Sequence, residues 1–257
     1  MILQAQAHDA YAEAVSRQAA DAVRNLESFM AGLDFSGSYD EKKAARNAVV
    51  ERMQMLVARY GDAAAALAAD FYNEIAEAAG ASVADAVLAE AAADASVAGS
   101  VRYSARKLFG READEDAFRK ACAAALSRFV KKAANDTMSK NAVRDGRKGA
   151  KFARVPQGAE TCMFCVMLAS RGFVYASREA AGEFDHFHDN CDCKVIVGFG
   201  DDAGVEGYDP GALYDRWAES DHYDYMRRRA KRETDENHRK YIEKLRKRSD
   251  AINAGRA

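Results

Sequence analysis

Apolar side chains recur at intervals of three and four along the first half of the chain, the period of a helix with one buried face. Tyr11, Val15, Val23, Leu26 and Met30 mark a first helix over residues 3–31, which holds neither Pro nor Gly and meets Gly32 at its end. After a Ser36-Gly37-Ser38 break, Ser38 with Glu41 reads as a capping box. Val49, Met53, Leu56, Val57 and Tyr60 then line one face up to an interruption at Gly61. Asp62 is placed to cap a further helix through Leu67, Phe71 and Ile75, ending near Gly80. Ser82 with Asp85 predicts the start of the next helix, carried by an alanine-rich run over 89–98 and continued through Val101, Leu108 and Phe109 to Gly110. Asp114, Glu115 and Asp116 suit a helix N-terminus, and Phe118, Cys122, Leu126, Phe129 and Val130 follow as its core face. Cys122 at that spacing reads as a small buried hydrophobe.

The period changes after residue 149. Residues 151–155 predict a short strand stopped by Pro156, and residues 173–175 and 193–199 two more. A short helix through Met167 and Leu168 falls between the first two, and Ser177 is placed to cap another with Ala180 and Ala181. Asp209-Pro210 opens a helix packed by Leu213, Tyr214 and Trp217. From Asp221 the chain reads as a long, charged, solvated helix that frays after Ser249. The expected fold is mainly α: a helical region over 1–149, a small α+β module over 150–200 and a charged helical segment over 201–257.

Composition adds little until charge is placed along the chain. Residues 1–100 carry 7 basic and 15 acidic side chains, 101–150 carry 13 and 6, 201–225 carry 1 and 8, and 226–257 carry 12 and 5. Opposed blocks of this kind suit contacts within the protein or with separate partners. The basic stretches 128–148 and 226–248 read either as solvated helix faces or as surfaces toward nucleic-acid phosphates. No signal-peptide pattern and no run of 18 apolar residues appears, so a reducing cytoplasm and no membrane are expected.

The chemistry concentrates in one place. Of five cysteines, Cys162, Cys165, Cys191 and Cys193 lie within 32 positions, with His186 and His188 between the pairs. Cys-x-x-Cys lets two thiolates face one ion from a tight turn, and cysteines two apart on a strand face the same side. Tetrahedral zinc takes four such ligands with Zn–S of about 2.3 Å. Cys162, Cys165, His188, Cys191 and Cys193 therefore present five candidates for four places. Two disulfides would leave Cys122 odd in a chain without secretory signals, and a redox Cys-x-x-Cys lacks its thioredoxin-like setting. A catalytic zinc needs an open coordination place, whereas this cluster has ligands to spare, which points to a structural site. G-x-x-x-x-G-K, H-E-x-x-H, G-x-S-x-G and the zinc-deaminase pattern are all absent. A His-Asn-His nuclease built on His186, His188 and Asn190 is the enzyme alternative.

The run T-C-x-F-C-x-x-L-A-S-R-G-x-x-Y, from Thr161 to Tyr175, followed by F-H-x-N-C-D-C, from Phe187 to Cys193, resembles the Mu F-like minor head proteins of tailed bacteriophages. The likeness is nearest to their minor capsid branch in phages and prophages of Gram-positive bacteria, and it covers about residues 150–198 by motif. His188, Cys191 and Cys193 match the family's His-x-x-Cys-x-Cys, and Cys162 and Cys165 the Cys-x-x-Cys of the branch. The sequence departs from relatives at His186-Phe187, ahead of the signature. The resemblance implies a non-enzymatic minor capsid protein in head morphogenesis, associated with portal and capsid proteins. It would be made in the host bacterial cytoplasm and carried in the virion, at the portal vertex or capsid interior. Structural zinc, possible homo-oligomers and contact of the basic segments with packaged DNA complete the expectation. A zinc-stabilised nucleic-acid-binding protein is the rival outside this class.

Overall fold

A computed structural model describes residues 1–109, 112–157, 161–175 and 193–233, together with positions 243 and 247; within 228–233 only the backbone is described. Three long helices form the body: α1 (Ala5–Ala31), α2 (Tyr39–Ala78) and, after the shorter α3 (Asp94–Ser104) and α4 (Arg106–Phe109), α5 (Glu115–Arg144). The mainly α expectation holds. Several boundaries have an identifiable cause. Ser38 Oγ accepts from Glu41 N–H while Glu41 Oε2 accepts from Ser38 N–H at 2.7 Å, the reciprocal cap read from sequence. Asp114 caps α5 by accepting from Ala117 N–H at 2.8 Å. The Met30 carbonyl in the last turn of α1 and the Leu33 carbonyl just beyond it receive the guanidinium of Arg119 from α5.

α5 is the axis of the core. Phe118, Cys122, Leu126, Val130, Ala134, Met138 and Ala142 are fully buried along it. Burial also pushes the Cys122 thiol up to about 12, as suits an inert core side chain. Against it lie Val15, Ala19, Ala22 and Leu26 of α1 and Ala64, Ala68, Tyr72 and Ile75 of α2. Alanine on facing helices lets their backbones approach closely.

Two helical expectations are corrected. Gly61 does not break α2, which runs 40 residues without interruption. Instead Gly61 is buried where α2 meets α5, and a Cβ added there would sit 3.6 Å from the Cβ of Ala133. That is ordinary contact. Gly61→Ala is therefore expected to stabilise by about 0.5–1 kcal/mol through helix propensity. Gly61→Leu, which must force α2 from α5, should destabilise by about 1–3 kcal/mol; urea unfolding of the two variants checks both signs. The second correction concerns residues 82–93, which are not helical. Their backbone is held by polar side chains of α2 and α5, and tertiary hydrogen bonds override local propensity.

The remaining elements form a thin α+β layer. A single 3₁₀ turn (Gly146–Lys148) leads into β2 (Ala150–Val155), antiparallel to β3 (Lys194–Phe199) in the register Ala150↔Phe199 to Val155↔Lys194. Phe152, Ala153, Val155, Val195, Ile196, Val197 and Phe199 belong to the same core as the helices. The strand expected at 173–175 is reduced to one antiparallel bridge, Phe152↔Tyr175. Gly198 has no substitute there, because a Cβ would come within 2.6 Å of the Ala203 Cβ and 3.0 Å of the Phe173 ring. Neither β1 (Ile2–Leu3) nor β4 (Gly204–Val205), which pair in parallel, was legible in so few residues. α6 (Met163–Ala169) packs its Val166, Met167 and Leu168 on Trp217 of α7 (Pro210–Ala218), and α8 (Asp221–Glu233) follows. The small helix expected at 177 and the end of the charged segment lie outside the described residues.

Candidate metal centre

Cys162 and Cys165 sit at the start of α6 because the first thiol does the work of an N-cap. Cys162 Sγ accepts from the Cys165 N–H at 3.4 Å, and Cys162 itself keeps an extended φ/ψ of −62°/150°. The turn points Cys162 outward, where it is exposed, and Cys165 inward, where it is buried. Cys193 arrives from the other direction, as the residue before β3. Cys165 and Cys193 pack together, 0 and 1 % exposed, as a small cluster apart from the main core. Two sulfurs separated by 27 positions are thus brought side by side, with a third one turn away. That donor set suits a thiophilic ion such as zinc. His188 and Cys191, like His186 and Asn190, lie outside the described residues. Among the described residues no group of three or more His, Cys, Asp or Glu gathers into a cage.

The side chain that positions Cys193 comes from α5. Asn135, 1 % exposed, accepts from Val195 N–H at 2.8 Å through Oδ1 and donates to the Cys193 carbonyl at 3.4 Å through Nδ2. The amide thereby acts as a one-residue neighbouring strand for the start of β3. The carbonyl end of α6 is tied as well: Tyr175 and Tyr208 donate their hydroxyls to Leu168 and Ala169. The same layer buries Arg154, Arg171 and Lys194, at 2, 5 and 1 % exposure. The β2–β3 pair is covered on both faces, so its polar residues do not alternate outward as a half-exposed strand would. Neither Asn135 nor these cations could be singled out by spacing, and Asn135 stands beside Asp136 and Thr137 with no local signal of its role.

The basic stretch on α5 is partly used inside the protein. Lys132 pairs with Asp136, Arg128 lies 4.5 Å from the centre of the Phe129 ring, and Lys140 and Arg144 donate to carbonyls of residues 84–88. Arg147 and Lys148 are exposed.

A separate cleft of about 570 Å³ opens between the start of α1, the end of β2 and α7. His8 lies at its wall, 5 % exposed. Its Nδ1 is 3.1 Å from Asp9 Oδ1 and its Nε2 is 2.9 Å from the amide of Gln157. Burial holds the imidazole below its usual 6.5, against the pull of Asp9 and with the help of the Lys194 charge. A neutral ring donating through Nδ1 and accepting at Nε2 satisfies both contacts. The carboxylates beside it are engaged in helix capping: Glu206 accepts from Ala5 N–H and Asp209 from Ala212 N–H.

The model of the VG15 protein family matches residues 2–220, and the chain belongs to this family of viral, phage-type proteins. The match takes in both the helical body and the layer that carries the cysteines, and it ends before α8. No curated protein and no solved structure matches the chain. Among the described residues no helix is long and apolar enough to cross a membrane.

Proposed function

We propose that this VG15-family protein is a non-enzymatic minor component of the phage head, assembling with portal and capsid proteins and stabilised by one structural zinc. The observation that carries the reading is a coincidence of two kinds. The family match spans the stretch in which Cys162, Cys165 and Cys193 come together. These same cysteines carry the resemblance to Mu F-like minor head proteins. Cys162, Cys165 and Cys193 would hold the ion together with His188 or Cys191. The bound metal would supply a cross-link, not a reaction, tying the turn before α6 to the start of β3 in a layer with little core of its own. The long helices would present the surfaces for portal, capsid or a second copy, and the basic segments could face packaged DNA.

Co-expression with the portal and major capsid proteins of the same phage tests the proposal. The protein should sediment with procapsids, in fewer copies than the major capsid protein, and carry about one zinc per chain. Its absence from particles, combined with DNA binding that weakens steeply with salt, would favour a nucleic-acid-binding regulator. Metal-dependent DNA cleavage lost in a folded His188→Ala variant would favour the nuclease.

A further inference from the structure

We propose that copies of this chain associate head to tail, a corner rich in arginine and tyrosine on one molecule seating on the acidic end of the next. The two surfaces lie at opposite ends of α1. Its C-terminal end meets the start of α2, where Tyr39 leans on Phe109 of α4 with ring centres 5.1 Å apart. Its N-terminal end meets the layer after β3: Glu206 accepts from Ala5 N–H, and α1 and α7 share the walls of one cleft. The 27 residues of α1 set these ends about 40 Å apart. That is several Debye lengths, so neither surface can neutralise the other within one molecule.

The corner is built on α3, α4 and the start of α2. Residues 39–47 and 102–109 hold six basic side chains and two acidic ones. Lys42 and Lys107 turn inward, onto the carbonyls of Leu108 and Ala117. Glu41 is taken up by the Ser38 cap. Lys43, Arg102 and Arg106 remain exposed. Tyr39 and Tyr103 stand among them, 67 and 68 % exposed, and the guanidinium of Arg106 lies 3.7 Å from the centre of the Tyr103 ring. Tyrosine and arginine are the side chains on which protein contacts most often centre.

The other end has the opposite charge. Residues 201–225 carry eight acidic side chains and one basic. Asp201 pairs with Lys151, and Glu206 and Asp209 cap helices. Asp202, Asp215, Glu219 and Asp221 are exposed beside them, as are Ile2 and Tyr225. Of the seven large hydrophobic side chains exposed among the described residues, four thus sit at the two ends of the molecule. Apolar side chains set among opposite charges make the two ends complementary. A strand of nucleic acid suits the corner less, because Asp40 stands in it and Asp114 N–H bonds to the Lys107 carbonyl at its edge. Since the two surfaces differ, every contact leaves one of each kind open, and the association extends as a chain or closes as a ring. The inference needs neither the metal nor a capsid partner.

Sedimentation velocity of the full chain tests this. The expected result is a mean size that grows across the micromolar range at about 0.1 M salt. The association constant should fall about tenfold or more at about 1 M salt, as the Debye length shrinks from about 10 to 3 Å. Tyr103→Ala/Arg106→Ala at one end and Asp215→Asn/Glu219→Gln at the other, all at exposed positions, should each weaken self-association about tenfold or more. Mixed in equal amounts, the two variants should form a dimer and nothing larger, because each keeps the end that the other lacks. That recovery also shows both variants to be folded. A chain that stays monomeric in low salt up to about 1 mM overturns the proposal. So does association that either variant leaves unchanged, or a mixture of variants with wild-type melting that fails to dimerise. A monomer that instead binds fluorescent oligo-dT, and loses it in Tyr103→Ala/Arg106→Ala, would give the corner to nucleic acid.

Discussion

If the proposed zinc is bound, stripping it from the reduced protein with a strong chelator is expected to lower the melting temperature by about 10 °C or more. A structural zinc contributes its binding free energy to folding, and a chain of this size loses about 2–4 °C per kcal/mol. The loss should also be local. Hydrogen exchange should rise in residues 161–175 and at the Cys193–Val195 entrance to β3, because these are what the ion would join. α2 and α5 should keep most of their protection, since their shared core of Tyr72, Ile75, Leu126, Val130 and Met138 does not involve the cysteines. Cys165→Ser and Cys193→Ser should each lose the metal and reproduce the exchange pattern. Cys122→Ala, far along α5 in the apolar core, should leave metal content unchanged while costing some stability. Unaltered exchange in 161–175 after chelation would remove the zinc from this account.

The second large effect is expected at Asn135. Asn135→Ala leaves the Val195 N–H and the Cys193 carbonyl without their partner in a place closed to water. Each lost bond costs about 1–3 kcal/mol, so a total of about 2–6 kcal/mol is expected from denaturant unfolding. The variant should also bind zinc more weakly, because the backbone that presents Cys193 is no longer pinned to α5. Measuring both separates two roles. Lost stability with unchanged metal affinity would make Asn135 a support of the β2–β3 pair alone.

Helix positions could be read from sequence wherever a single face repeats: the bounds of α1, the capping box of α2 and the core stripe of α5 all rest on short-range spacing and local caps. What escaped is what depends on a distant partner. Gly61 looks like a stop until Ala133 is known to lie against it. Residues 82–93 look helical until Asn141 and Thr137 are known to reach them from more than 45 positions away. The β2–β3 pair hides Arg154 and Lys194 because it is covered on both faces, which alternation alone does not announce. At the candidate site the spacing singled out Cys162, Cys165 and Cys193, which the fold brings together. It did not indicate that Cys165 and Cys193 would form the buried pair while Cys162 faces outward.

The parallel pairing of β1 with β4 ties Ile2 to Gly204 and Leu3 to Val205, and Asp202 receives the terminal ammonium of Met1. So short a ribbon spanning some 200 positions cannot nucleate anything, because closing so large a loop repays only a few hydrogen bonds. It must zip up after the helical body and the β2–β3 pair have set its two ends side by side.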